Sequence, residues 1–115
     1  MRLITPTMTT AQRARELALE LPGAEERDHH GRPSFRVGGR IFATLWDEGH
    51  MNVMLDEDGI RTSVARDGEC YAEVRWGRRL AAVAVTLERV GEAELRELLS
   101  DAWEGKAGAA ARGPR

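Results

Sequence analysis

Residues His30 to His50 read HGRPSFRVGGRIFATLWDEGH, and the fold follows from this stretch. Gly38-Gly39 stands between two alternating runs. Both positions of a two-residue hairpin turn need positive φ, which glycine adopts without penalty. Pro33 sits at the start of the first strand, where its missing N–H costs least. A two-residue loop sets Val37 opposite Arg40 and Phe35 opposite Phe42. Phe35, Val37, Phe42 and Trp46 then share one face. Ile41, Ala43 and Leu45 share the other with Arg36. Asp47-Glu48-Gly49-His50 is a turn, and Met51 to Leu55 is a third strand with Met51, Val53 and Leu55 on one side.

Upstream of this hairpin, Thr9 to Leu21 predicts a helix. Thr9 and Gln12 match a capping box, and Ala11, Ala14, Leu17, Ala18 and Leu21 make its apolar stripe. Pro22-Gly23 ends it. Glu25 to His30 is polar and reads as an edge strand or a loop. Downstream, Asp56 caps a short helix over Glu57 to Arg66 whose stripe is only Ile60 and Val64. Cys70, Ala72, Val74 and Trp76 alternate with Tyr71, Glu73 and Arg75, which makes a strand with Cys70 on its apolar side. After the Trp76–Arg79 turn, Leu80 to Leu87 is the last strand, with Ala81, Val83, Val85 and Leu87 inward. Gly91 to Trp103 is the clearest helix, through Leu95, Leu98, Leu99, Ala102 and Trp103.

The order α, β-meander, short α, two strands, α predicts an α+β fold. We expect a two-layer α/β sandwich, an antiparallel meander sheet with the N- and C-terminal helices on one face. The expected organisation is a flexible leader over residues 1–8, one domain over 9–104 and a disordered basic tail over 105–115. MRLITPTMTT carries no signal-peptide core, and Met8 offers a second start.

Composition narrows the function. The chain has 115 residues, enough for one domain with a core that needs no disulfide or metal. Its formal net charge of −2 argues against a protein that coats DNA through overall basicity. The single cysteine, Cys70, allows no internal bridge and no thiolate zinc site, and fits a reducing cytosol. No apolar run is long enough to span a bilayer. Ser34 and Ser63 lack a nucleophile elbow, Cys70 reads as a core thiol, and no glycine-rich phosphate loop is present. The expectation is therefore no enzyme and no cofactor. Asp28, His29, His30 and His50 are the residue types of a metal site. Adjacent His29 and His30 point to opposite sides of a strand, however, so no metal is assigned. Trp103 reads as core, Trp46 mainly as sheet packing, and Trp76 ends a strand.

Two segments resemble the MmcQ/YjbR family of small bacterial proteins. One is ALELPGAEERDHHGRPSFRVGGRIFATLW, ending at Trp46; the other is WGRRLAAVAVTLERVGEAELRELLSDAW, from Trp76 to Trp103. The resemblance implies a frataxin-like fold and DNA binding through a double-wing arrangement of the sheet. Members often follow Trp-Gly with a basic residue, glycine and a second tryptophan. Here Arg78, Arg79, Leu80 and Ala81 stand instead. With that implication, the candidate nucleic-acid contacts are Arg32, Arg36, Arg40, Arg75, Arg78 and Arg79, mostly near turns. The guanidinium fork suits phosphate there. The expected function is weak DNA binding, mainly to backbone phosphates. The alternative is a protein-interaction or small-ligand module of the same fold without enzymatic activity, in which a protein partner or a second copy takes the place of DNA.

Overall fold

Hairpin turns and alternating strands dominate the computed structural model, which describes residues 9–112. In chain order the elements are α1 (Ala11–Leu19), β1 (Glu25–His29), β2 (Arg32–Val37), β3 (Arg40–Asp47), β4 (His50–Val53), α2 (Glu57–Arg66), β5 (Tyr71–Trp76), β6 (Arg79–Thr86) and α3 (Glu92–Arg112), with a single 3-10 turn at Leu87–Arg89. The strands form one antiparallel sheet in the order β1-β2-β3-β4-β6-β5. This is the expected α+β sandwich, with one change. The meander ends at β4. The chain then crosses over α2 to the far edge as β5 and returns as β6 between β5 and β4. The leader expected over residues 1–8 lies outside the described residues.

The Gly38-Gly39 turn forms as read, with φ of 58° and 80° and Val37 paired to Arg40. Beyond it the register shifts: Arg36 pairs with Ile41, but Phe35 pairs with Ala43. Phe42 is thus the extra residue of a β-bulge, and the predicted Phe35–Phe42 pair is replaced. A bulge changes side-chain parity by one. Phe35 therefore shares its face with Ala43 and Leu45, and Trp46 falls on the opposite face from Phe35. Cross-strand rows make this plain. Phe35, Ala43, Val53 and Val83 run along the helix side, as do Leu45, Met51, Val85 and Tyr71. With the bulge residue Phe42, all of these are buried. On them pack Leu17 and Ala18 of α1, Ile60 of α2, and Leu95, Leu98 and Leu99 of α3.

On the other side a row that is polar from β1 to β4 crosses the sheet, from Arg27 through Ser34, Thr44 and Asn52, and ends on the small residues Ala84 and Ala72. Among the described residues, no helix packs on this face. Strand β5 takes the phase opposite to its sequence reading. Tyr71 is buried on the helix side, while Ala72 and Trp76 are exposed on the open side. Cys70 is buried in the turn before the strand, with its thiol pushed up by desolvation.

Capping details also differ. The cap of α1 is Thr10, whose Oγ1 accepts from Arg13 N at 3.0 Å. Thr9 is buried instead, and its hydroxyl donates to the Val90 carbonyl at 2.8 Å. Asp56 caps α2 as expected, accepting from Gly59 N at 2.8 Å. A Cβ on Gly59 would meet Asp56 Oδ1 at 3.2 Å and Leu55 Cβ at 3.3 Å, so this cap favours glycine. Trp103 packs against the core, and its indole N–H donates to the Pro22 carbonyl at 2.8 Å, pinning α3 to the exit of α1. Helix α3 continues to Arg112, past Gly105, where the sequence suggests a disordered tail. The alanines after Gly105 favour helix, and Ala107 still reaches the core.

Candidate nucleic-acid interface

Antiparallel alternation puts the β2–β3 and β5–β6 turns at the same end of the sheet. Strands β2, β4 and β5 all run toward that end. Gly77 opens the second turn with φ 65°. Arg40, Arg78 and Arg79 therefore flank one end, with Arg75 beside them. Arg32 lies at the other end of β2, and Arg36 between. The six sequence candidates form a distribution along the sheet rather than one cluster.

Their partners divide them. Arg32 lies over the Trp46 indole with Cζ 3.8 Å from the ring centroid, and its Nε donates to the Trp46 carbonyl at 3.0 Å. Arg36 Nε donates to Ser34 Oγ at 3.2 Å, and that hydroxyl donates to the Arg27 carbonyl at 2.9 Å. Arg79 Cζ lies 5.2 Å from the Trp76 centroid. Arg75 is tied to Glu73 at 3.2 Å and donates to the Arg78 carbonyl at 3.1 Å. Among the described residues, Arg32, Arg36, Arg40, Arg78 and Arg79 make no ion pair. Arginines elsewhere do: Arg13 with Glu16 and Glu92, Arg15 with Glu26, Arg61 with Glu57, Arg66 with Glu94, Arg89 with Glu69, and Arg96 with Glu20. The Arg13 guanidinium holds the Glu92 carboxyl below its usual range.

The carboxylates near the candidates are partly occupied. Asp28 accepts from Gly31 N at 3.2 Å. Asp47 accepts from Gly49 N at 2.8 Å and lies 2.9 Å from His50 Nδ1. The His50 hydrogen bond, then that of Gly49, holds the Asp47 carboxyl below its ordinary value. His29 and His30 meet edge to face at the β1–β2 turn, 4.5 Å between ring centroids. His50 lies on β4, with β2 and β3 between it and β1, so the four candidate ligands are not gathered. Among the described residues, no three His, Cys, Asp or Glu side chains are grouped as metal ligands.

Two surface features emerge that the sequence leaves unresolved. On the helix side, a cleft of about 800 Å³ opens between α2, α3 and the hairpin tips. Asp56, Glu57, Asp58, Glu94, Glu97 and Asp101 line it together with Arg40, Arg66, Arg79 and Lys106. Carboxylates therefore interleave with two of the turn arginines. On the open face, Trp46 and Trp76 are 50% and 52% exposed. They border a shallow groove of about 430 Å³ floored by Asn52, Val74 and Ala84. Sequence alternation read Trp46 mainly as packing and left Trp76 open at a strand end. The signal for exposure was their position, Trp46 before an acidic turn and Trp76 before Gly77.

Fold and surface together define a two-layer α+β domain whose uncovered sheet face carries arginine and tryptophan side chains. The chain belongs to the YjbR family, whose model matches residues 19–105. Its fold is similar to that of Deinococcus radiodurans protein DR2400, a DUF419 domain protein. The TM-score is 0.71 and the identity 20%, over 95% of this chain and 92% of that one. No curated protein matches the chain. No helix among the described residues is long and apolar enough to cross a membrane.

Proposed function

We propose that this domain binds DNA weakly, mainly through backbone phosphates held by Arg32, Arg36, Arg40, Arg78 and Arg79, in a reducing cytosol. The observation that carries the reading is the distribution of ion pairs. A net charge of −2 conceals a division. The helix arginines Arg13, Arg15, Arg61, Arg66 and Arg96 are paired with neighbouring carboxylates, whereas those of β2 and of the two glycine turns are in no ion pair among the described residues. An arginine without a carboxylate partner keeps its fork for phosphate. Phosphate contacts supply most nonspecific affinity. Arg75, shared with Glu73, contributes less.

The reading contains no catalytic step. The Ser34 hydroxyl donates to the Arg27 carbonyl and the Ser63 hydroxyl to the Gly59 carbonyl. Burial raises the Cys70 pKa, which disfavours the nucleophilic thiolate. The test is a salt titration of binding to random duplex with Arg78→Ala/Arg79→Ala. Affinity should fall, and the slope of log K against log salt should flatten by about 0.9 for each phosphate contact removed. Arg89→Ala, at a guanidinium already paired with Glu69, should leave the isotherm in place. An unchanged isotherm in the double variant overturns the assignment.

A second reading, a protein-interaction or small-ligand module, is favoured by the cleft. Its mixture of carboxylates and cations suits a zwitterionic or peptide occupant better than a polyanion. Substitution of Glu97 and Asp101 by Lys would then abolish partner binding without lowering DNA affinity.

A further inference from the structure

We infer that the open-face groove takes single-stranded DNA, with bases stacked on Trp46 and Trp76. This rests on the DNA reading above and specifies the form of the ligand. Trp46 and Trp76 are the exposed large hydrophobic side chains of the described residues, and both line one groove. Neither is placed by regular strand geometry alone. The register shifts between Leu45 and Asp47, so Trp46 occupies a bulge. Trp76 immediately precedes Gly77, which has φ 65°. Bulges re-aim side chains and are over-represented at functional sites. Exposed aromatic surface forfeits the burial that large rings otherwise supply. Folding therefore does not account for two such rings on one face.

The groove's chemistry selects the occupant. The guanidinium in the groove lining is Arg75, which is tied to Glu73. Outside the lining each indole has an arginine over it, Arg32 at 3.8 Å and Arg79 at 5.2 Å, and neither of these has a carboxylate partner among the described residues. The carboxylate lining the groove, Asp47, is already engaged by Gly49 N and His50. A ligand that is both planar and polyanionic satisfies indoles and arginines together. Ala84 and Val74 in the floor leave room for a ring, and Asn52 presents donor and acceptor atoms to a base edge. In a duplex the π-faces of the bases are already stacked on one another, whereas in a single strand they are available to aromatic side chains.

The experiment uses the full chain with a labelled mixed-sequence DNA strand and the same sequence as duplex. Anisotropy and intrinsic tryptophan fluorescence are read together. We expect tighter binding of the single strand, with quenching of the indole emission. Trp46→Ala and Trp76→Ala should each weaken single-strand binding about tenfold, the order expected for one lost stacking partner. Trp46→Phe and Trp76→Phe should retain most of the affinity, and duplex binding should change little in all four. Unfolding midpoints of the variants establish that they fold. Single-strand affinity unchanged in Trp46→Ala/Trp76→Ala overturns the inference, as does preference for duplex. If duplex binding nevertheless falls in the arginine double variant, phosphate binding stands and only the stacking site fails. If the wild-type chain binds neither form, both readings fail. Binding of an RNA strand in place of DNA overturns the choice of DNA.

Discussion

Strand β5 carries two aromatic side chains on opposite sides of the sheet, and each has an arginine over its ring. On the helix side Tyr71 is buried beneath Arg66, with Cζ 6.0 Å from the ring centroid. Glu94 takes both the tyrosine hydroxyl and Arg66, the latter at 2.7 Å. On the open side Trp76 is half exposed beneath Arg79, and among the described residues no carboxylate pairs with that guanidinium. The same residue pairing thus serves packing on one face, while on the other it leaves, among the described residues, a cation without a carboxylate and a half-exposed ring. What separates structural from available arginine in this protein is the third partner, a carboxylate that neutralises charge and fixes geometry.

The largest test of that contrast is paired truncation. Tyr71→Ala should cost about 3–5 kcal/mol, as loss of a large buried aromatic does, read from urea unfolding. Trp76→Ala should stay within about 0.5 kcal/mol, as exposed substitutions do. DNA binding should respond in the opposite order. Equal destabilisation by both would show that the open face is packed in solution.

Next is alkaline stability. Burial, then the hydrogen bond to Glu94, raises the Tyr71 hydroxyl well above its ordinary pKa. In the unfolded chain the phenol ionises near its ordinary value of about 10. The folded chain therefore keeps a proton that the unfolded chain loses. Stability from this group is complete below about pH 10 and declines as pH rises beyond it. Burial of the Cys70 thiol acts the same way from about pH 8.5 upward. Urea midpoints measured across this window should fall in the wild-type chain. The fall above about pH 10 should be shallower in Tyr71→Phe, which removes the phenol.

A smaller effect separates adjacent threonines. Thr10→Ala removes the α1 cap at a cost of about 1 kcal/mol. Thr9→Val removes the buried donor to the Val90 carbonyl and should cost about 1–3 kcal/mol. If Thr10→Ala is the more damaging, the cap outweighs the buried Thr9–Val90 hydrogen bond and the order of the two threonines is reversed.

Much of the fold was legible because local chemistry dictates it. Gly38-Gly39 turns the chain, Asp56 starts α2, and the leucines of α3 repeat at helical spacing. Each depends on residues a few positions apart. The errors share a cause. Phe35–Phe42 pairing, the phase of β5 and the cap of α1 each depend on a partner far along the chain. For the bulge, Met54 N donates to the Phe42 carbonyl at 2.9 Å. For β5 the partner is Glu94, and for Thr9 it is the Val90 carbonyl. The site was legible by residue type but not by availability. Six arginines were named from their places near turns and in strands, and only the folded chain tells which have a carboxylate beside them.

The sequence by itself determined the family, the α+β class, the hairpin around Gly38-Gly39 and the number of helices. Periodicity and turn chemistry are local properties, and they survive without knowledge of contacts. The tertiary structure decided which face of the sheet is covered, where β6 inserts, and that Trp46 and Trp76 stand exposed beside one groove. Those outcomes follow from bulges and crossovers, which shift side-chain parity by single residues and are selected by the packing of distant segments.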